Sequence, residues 1–97
     1  MRVGLLQLNP IIGDVDGNTL RVIDAARNCE ADLLITPELV ISGYPPRDLL
    51  LCSGFVEACQ GAIETIAKQV SATMLIGHPR RDVSTGRFRN SVSVIEH

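Results

Sequence analysis

The chain has 97 residues, enough for one small domain that buries roughly 60–70% of its unfolded surface. Its hydrophobic share is 45% with only three aromatic side chains, so the core must be aliphatic. A net charge of −2 and a pI near 5.5 exclude a general polyanion binder, and no run of 18 apolar residues exists to span a membrane.

Nearly continuous apolar character over residues 3–8 predicts a first strand covered on both faces. The opening is superficially like a secretory leader. Gln7 and Asn9 interrupt it, however, and no small-residue cleavage site follows, so a cytoplasmic location is expected. Asn9-Pro10 ends the strand and Gly13-Asp14 signals a turn. Asp16 is expected to cap a helix over residues 17–28. Val22, Ala25, Ala26 and Cys29 recur there at helical spacing, with Leu20 and Ile23 widening the stripe.

Residues 33–36 predict a buried strand that stops at Pro37, which has no N–H for a ladder. Residues 48–52 suit a helical turn. Ser53 is then expected to cap a longer helix whose buried face carries Phe55, Cys59, Ala62, Ile63, Ile66 and Val70. A third strand over 73–76 is expected to end at Gly77-His78-Pro79. A fourth, over 90–95, pairs back on it across a turn at Ser84-Thr85-Gly86. The order β-α-β-α-β-β predicts an α/β fold with right-handed crossovers.

The chemistry concentrates in residues 36–50. Glu38 falls just past a strand's carboxyl end, where open α/β sheets hold their ligands. Leu39, Val40 and Ile41 follow it directly, and a carboxylate losing hydration in such company suits a general base. Gly43 frees the backbone for a turn and Pro45-Pro46 stiffens the exit. The plainer reading is a surface loop with a solvated Glu.

Pro37-Glu38-Leu39 followed by Ser42-Gly43-Tyr44-Pro45-Pro46-Arg47-Asp48-Leu49-Leu50 resembles the first catalytic motif of the nitrilase (carbon–nitrogen hydrolase) superfamily. Gln7-Leu8-Asn9-Pro10, Gly13-Asp14, Asn18, Gly77 and Asn90-Ser91 are similar to one branch of it, the amino-terminal glutaminase domains of glutamine-dependent NAD synthetases. The resemblance covers essentially the whole chain. It implies part of an α-β-β-α sandwich, with residues 1–97 forming the amino-terminal part of an amidase domain and no second domain within them. It also implies that Glu38 takes the proton of a cysteine thiol, whose thiolate attacks an amide carbonyl, while a lysine stabilises the oxyanion. Tyr44 would then line the amide pocket as a substrate-binding residue; its plain alternative is packing on Pro45 and Pro46.

In the family, that lysine and cysteine lie beyond residue 97. Lys68, the one lysine, falls on the second long helix, and Cys29, Cys52 and Cys59 lie outside the nucleophile motif. Cys29 and Cys59 sit on buried stripes, where free cysteine behaves as a small hydrophobe. With no Cys-x-x-Cys there is no zinc site. No phosphate-cradling glycine loop exists either, so no cofactor is expected in this chain. ATP and Mg would belong to a separate synthetase domain.

Residues 80–89 hold four of the nine basic side chains. With Phe88 alone to stack on a base, a solvated hairpin loop is the better reading. His78 has no ligand partner at metal spacing and reads as structural. The expected partners are therefore glutamine or another small amide, and either a second copy of the chain or the carboxy-terminal half of the domain. A stand-alone amidase and a non-catalytic α/β interaction module are the alternatives. The chain alone is expected to be inactive.

Overall fold

The computed structural model describes residues 1–97. Its elements are β1 (Val3–Leu5), α1 (Val15–Arg27), β2 (Leu33–Ile35), a 3-10 turn (Arg47–Leu51), α2 (Phe55–Gln69), β3 (Thr73–Arg81) and β4 (Phe88–Ile95). One four-stranded sheet has the order β1-β2-β3-β4. The first three strands run parallel and β4 returns antiparallel to β3.

That order decides where the core lies. Two successive right-handed crossovers stepping the same way along the sheet put both helices on one face. Leu34, Met74, Ile76 and Ile95 point to that face and pack with Val22, Ile23 and Ala26 of α1 and Cys59, Ala62 and Ile66 of α2. The opposite face is apolar too. Leu5, Ile35, Leu75 and Val94 stand side by side across all four strands. Nothing covers that row: Leu5 is 75% exposed and Val94 59%. Strands apolar on both faces, as expected from residues 3–8, 33–36 and 73–76, thus meet helices on one side only.

Several boundaries differ from expectation. β1 ends at Leu5 rather than residue 8, because its partner β2 is itself only three residues long; the amide of Leu6 makes the last bond, 2.9 Å to the carbonyl of Ile35. Helix α1 starts at Val15 and is capped by Asp14, not Asp16. Asp14 Oδ1 accepts from the amide of Gly17 at 3.0 Å, the usual three-residue reach of a cap. Leu20 is 64% exposed, since Asn18, Thr19, Val22, Ile23 and Ala26 form the buried stripe and Leu20 lies about 100° beyond Thr19.

At α2 the cap position is Gly54, in a left-handed conformation at φ 81° and with no side-chain bond, so Ser53 stands one place too early. Val56 enters the core, while Phe55 and Ile63 are half-buried. β3 does not stop at Ile76. It runs through Pro79 to Arg81, because beyond Leu75 its only neighbouring strand is β4 and a missing N–H on the other edge breaks no ladder.

The hairpin turn falls where expected. The amide of Gly86 bonds the carbonyl of Asp82 at 2.7 Å, and the Asp82 carboxylate accepts from the hydroxyl and amide of Ser84. Those bonds, the hydroxyl's first, hold the Asp82 carboxyl below its usual range. Arg89 pairs with Asp82 at 3.4 Å. Arg81 lies 4.7 Å from the centre of the Phe88 ring and 3.5 Å from Glu57 on α2. Half of this basic segment is therefore engaged within the fold. No helix is long and apolar enough to cross a membrane.

The helix-covered face should carry the stability. Ile66→Ala is expected to cost about 2–5 kcal/mol by urea denaturation, because it removes a fully buried side chain between helix and sheet. Leu20→Ala, at an exposed position of α1, should stay within about 0.5 kcal/mol.

Candidate functional site

Glu38 begins the loop that leaves β2. The amide of Thr36 still bonds the carbonyl of Leu75 at 3.0 Å, after which Pro37 ends the pairing. Leu39 then takes a left-handed backbone conformation at φ 50°, uncommon for a residue with a side chain. The reversal turns Leu39, Val40, Ile41 and Ser42 into the interior and leaves Glu38 exposed. The expected burial of the carboxylate among Leu39, Val40 and Ile41 is therefore not found within this chain, since those side chains face away from it.

Three contacts pin the loop. The first is Gly77, on β3 directly beneath it. Its amide donates to Thr36 Oγ1 at 3.0 Å and its carbonyl accepts from the amide of Ile41 at 3.4 Å. A Cβ there would lie 2.7 Å from both the carbonyl oxygen of Pro37 and the amide nitrogen of Leu39, so only glycine lets the loop lie this close. The second is Gly43, at φ 79°, where a Cβ would lie 2.6 Å from Ile12 Cα. The neighbouring carbonyl of Ser42 accepts from Gly13 at 2.9 Å, joining the loop to residues 11–13.

The third contact is the Asn18 side chain, buried on α1. Its amide group donates to the carbonyls of Ile11 and Ile41 at 2.8 and 2.9 Å, and its oxygen accepts from the amide of Ile11 at 2.8 Å. One side chain thus satisfies two loops at once. Asn18 carried a sequence signal, as a polar residue four positions before Val22 on the apolar stripe. Its hydrogen-bonding role was not read from that pattern.

A cleft of about 410 Å³ opens beside Glu38. Pro37, Glu38, Gly77 and Asn90 line one end, and Ile35, Leu75 and Val92 form its apolar floor. That floor is the uncovered face of the sheet. The Asn90 side chain, from β4, donates to Glu38 Oε1. A contact across 52 positions leaves no trace in local spacing, and Asn90 had stood out only through the resemblance.

The other candidates lie elsewhere. Tyr44 is 64% exposed and outside the cleft lining. Lys68 sits on the last turn of α2, which runs back from the carboxyl end of β2 to the amino end of β3 and so leaves Lys68 at the end of the sheet opposite Glu38. Cys59 is fully buried, and burial, with the nearby negative charge of Glu57 adding to it, pushes its thiol up to about 11. That makes it a poor nucleophile. Cys52 is exposed, Cys29 half-buried, and all three cysteines are free. His78 is buried and structural, its Nε2 2.6 Å from Ser93 Oγ and its Nδ1 3.0 Å from the carbonyl of Pro79.

The chain is 41% identical, over 97% of its length, to a glutamine-dependent NAD(+) synthetase of Synechocystis, of which it spans 19%. A solved glutamine-dependent NAD(+) synthetase of Acinetobacter baumannii, in complex with ADP, superimposes over 98% of the chain with a TM-score of 0.89 at 34% identity; the chain covers 18% of it. A Nesterenkonia amidase from the nitrilase superfamily matches 81% of the chain at 28% identity and a TM-score of 0.69, with 32% of that amidase covered. The chain is thus similar over nearly all its length to one part of glutamine-dependent NAD(+) synthetases, and more distantly to an amidase of the nitrilase superfamily. Another structure of the Nesterenkonia amidase, a glutamate-to-leucine variant, has the acetamide moiety of fluoroacetamide added covalently at its active-site cysteine. No family model matches the chain, which spans less than a fifth of the length of these two synthetases.

Gly77→Ala should displace the Glu38 loop. The expected cost is about 1–3 kcal/mol in thermal or urea unfolding, because the added methyl meets backbone on two sides and no flexible side chain can yield. An unchanged melting curve would show that the loop does not rest on β3.

Proposed function

We propose that residues 1–97 are the amino-terminal part of a glutamine amidohydrolase domain, with Glu38 as its general base. The complete protein would hydrolyse glutamine and supply the ammonia for NAD synthesis. One observation carries the reading: Glu38 leaves the carboxyl end of a parallel strand, is gripped on both sides by the backbone of Gly77, and projects over a cleft whose floor is bare apolar sheet.

The chemistry divides between this chain and the part of the domain that covers it. In the complete site Glu38 takes the proton of a cysteine thiol, and the thiolate adds to the amide carbonyl of glutamine. The tetrahedral intermediate collapses, Glu38 returns the proton to the departing nitrogen, and ammonia leaves a thioester. Glu38 then takes a proton from the water that hydrolyses this thioester. A lysine ammonium stabilises the oxyanion in both steps. None of Lys68, Cys29, Cys52 and Cys59 is at the Glu38 cleft, so the cysteine and lysine are assigned to the remainder of the domain. ATP and Mg are assigned to a separate synthetase part of the protein.

The floor of the cleft is continuous with the uncovered sheet face. Whatever lies on that face therefore also walls the site, and a second sheet from the remainder of the domain fits both needs. Tyr44, at the exposed turn of the same loop, would meet the amide only once that wall is in place. The higher identity to glutamine-dependent synthetases than to the stand-alone amidase favours glutamine over another small amide.

In the complete protein, Glu38→Gln should leave the melting temperature unchanged and lower glutamine turnover at least about 100-fold, the scale of a lost general base. Synthetase activity driven by free ammonia should persist. Near-normal glutamine turnover would exclude Glu38 as the base. The 97-residue chain on its own should release no ammonia from glutamine. It should also self-associate or aggregate at low micromolar concentration in sedimentation equilibrium, as its bare sheet face demands. A stable monomer that binds no apolar dye would show the face to be adequately solvated.

A further inference from the structure

We infer that Asn90 is a positioning residue that aims the Glu38 carboxylate, an inference that rests on Glu38 being the base. The two residues reach the cleft from different directions. Glu38 follows β2 through a flexible side chain, and its own neighbours Leu39, Val40 and Ile41 turn away into the core. Left alone, such a carboxylate would sample several rotamers in solvent.

Asn90 is the one side chain the structure gives Glu38 as a partner, its amide donating to Oε1. The placement of Asn90 is firm. It stands opposite the buried Pro79 in the β3–β4 ladder, two residues along β3 from the Gly77 that grips the Glu38 loop. The same strand pair thus fixes both the backbone of Glu38 and its carboxylate. With Oε1 held by an amide donor, Oε2 is the oxygen left to accept a thiol proton. A carboxylate at position 90 would instead put two like charges in contact, which disfavours ionisation of both.

The test uses the complete glutamine-hydrolysing protein with Glu38→Gln, Asn90→Leu, Asn90→Asp and the double variant Glu38→Gln/Asn90→Leu. Asn90 is exposed, so each variant is expected to fold, with circular dichroism and melting temperature as the check. Asn90→Leu should lower kcat for glutamine about 10- to 100-fold while KM changes less than about twofold, the pattern of a misaimed base rather than lost binding. Asn90→Asp, nearly the same shape, should move the acidic limb of the kcat profile to higher pH. The double variant should be no slower than Glu38→Gln alone, because Asn90 acts only through Glu38.

A normal kcat in Asn90→Leu beside an inactive Glu38→Gln would overturn the inference and leave the base intact. Loss of kcat that adds fully in the double variant would also overturn it, by showing that Asn90 acts elsewhere. Near-normal turnover in Glu38→Gln would remove the base assignment and the Asn90 inference together.

Discussion

The close approach of the Glu38 loop to β3 at Gly77 is the constraint on which the rest of the site depends. The strand that delivers Glu38 is only three residues long and Pro37 stands two places beyond it, so its own ladder does little to hold the loop. Gly77 replaces the lost pairing with two hydrogen bonds, one to the Thr36 side chain and one from the amide of Ile41. These bracket Glu38 from before and behind. With its ends fixed, the segment accommodates a left-handed Leu39, and that reversal separates an exposed carboxylate from three buried aliphatic neighbours. Asn18 and Gly43 close the far side. The Glu38 carboxylate is thus displayed by a loop anchored through its own backbone.

A second constraint is topological. Parallel strands added in sequence order by right-handed crossovers cannot distribute helices to both faces unless the order of addition reverses. Here it does not reverse, and β4 returns as a hairpin without a helix. One face is therefore a finished core, with Leu34, Met74 and Ile76 fully buried, while the other shows Leu5, Val92 and Val94 to solvent. The strands that read as doubly buried in the sequence are the strands left bare on one side.

The sequence disclosed what local pattern encodes and missed what depends on partners. Strand and helix order followed from apolar period, and the hairpin turn from Ser84-Thr85-Gly86. Glu38 was singled out as the candidate base from Pro37-Glu38-Leu39 through family resemblance. The α1 cap slipped because the helix starts at Val15, two residues before the expected start, so Asp14, read as part of a turn, caps it in place of Asp16. Pro79 misled because a proline ends a strand only where its N–H is needed, and β3 has no second neighbour there. The desolvation expected of Glu38 failed for a related reason. Sequence adjacency to Leu39, Val40 and Ile41 is not spatial adjacency once the backbone reverses. The Asn90 contact is longer-range still, set by the register of a hairpin against a loop from another strand.

These features bear on one another through the cleft. A general base works best where water is scarce, because water competes both for its proton and for the electrophile. Within this chain Glu38 has an apolar floor in Ile35, Leu75 and Val92 but no roof. The apolar face that needs covering for stability is the same surface that floors the cleft beside Glu38. A single packing event against it would bury the aliphatic row and remove water from beside Glu38. Under the proposed function, folding and catalysis are then coupled by geometry.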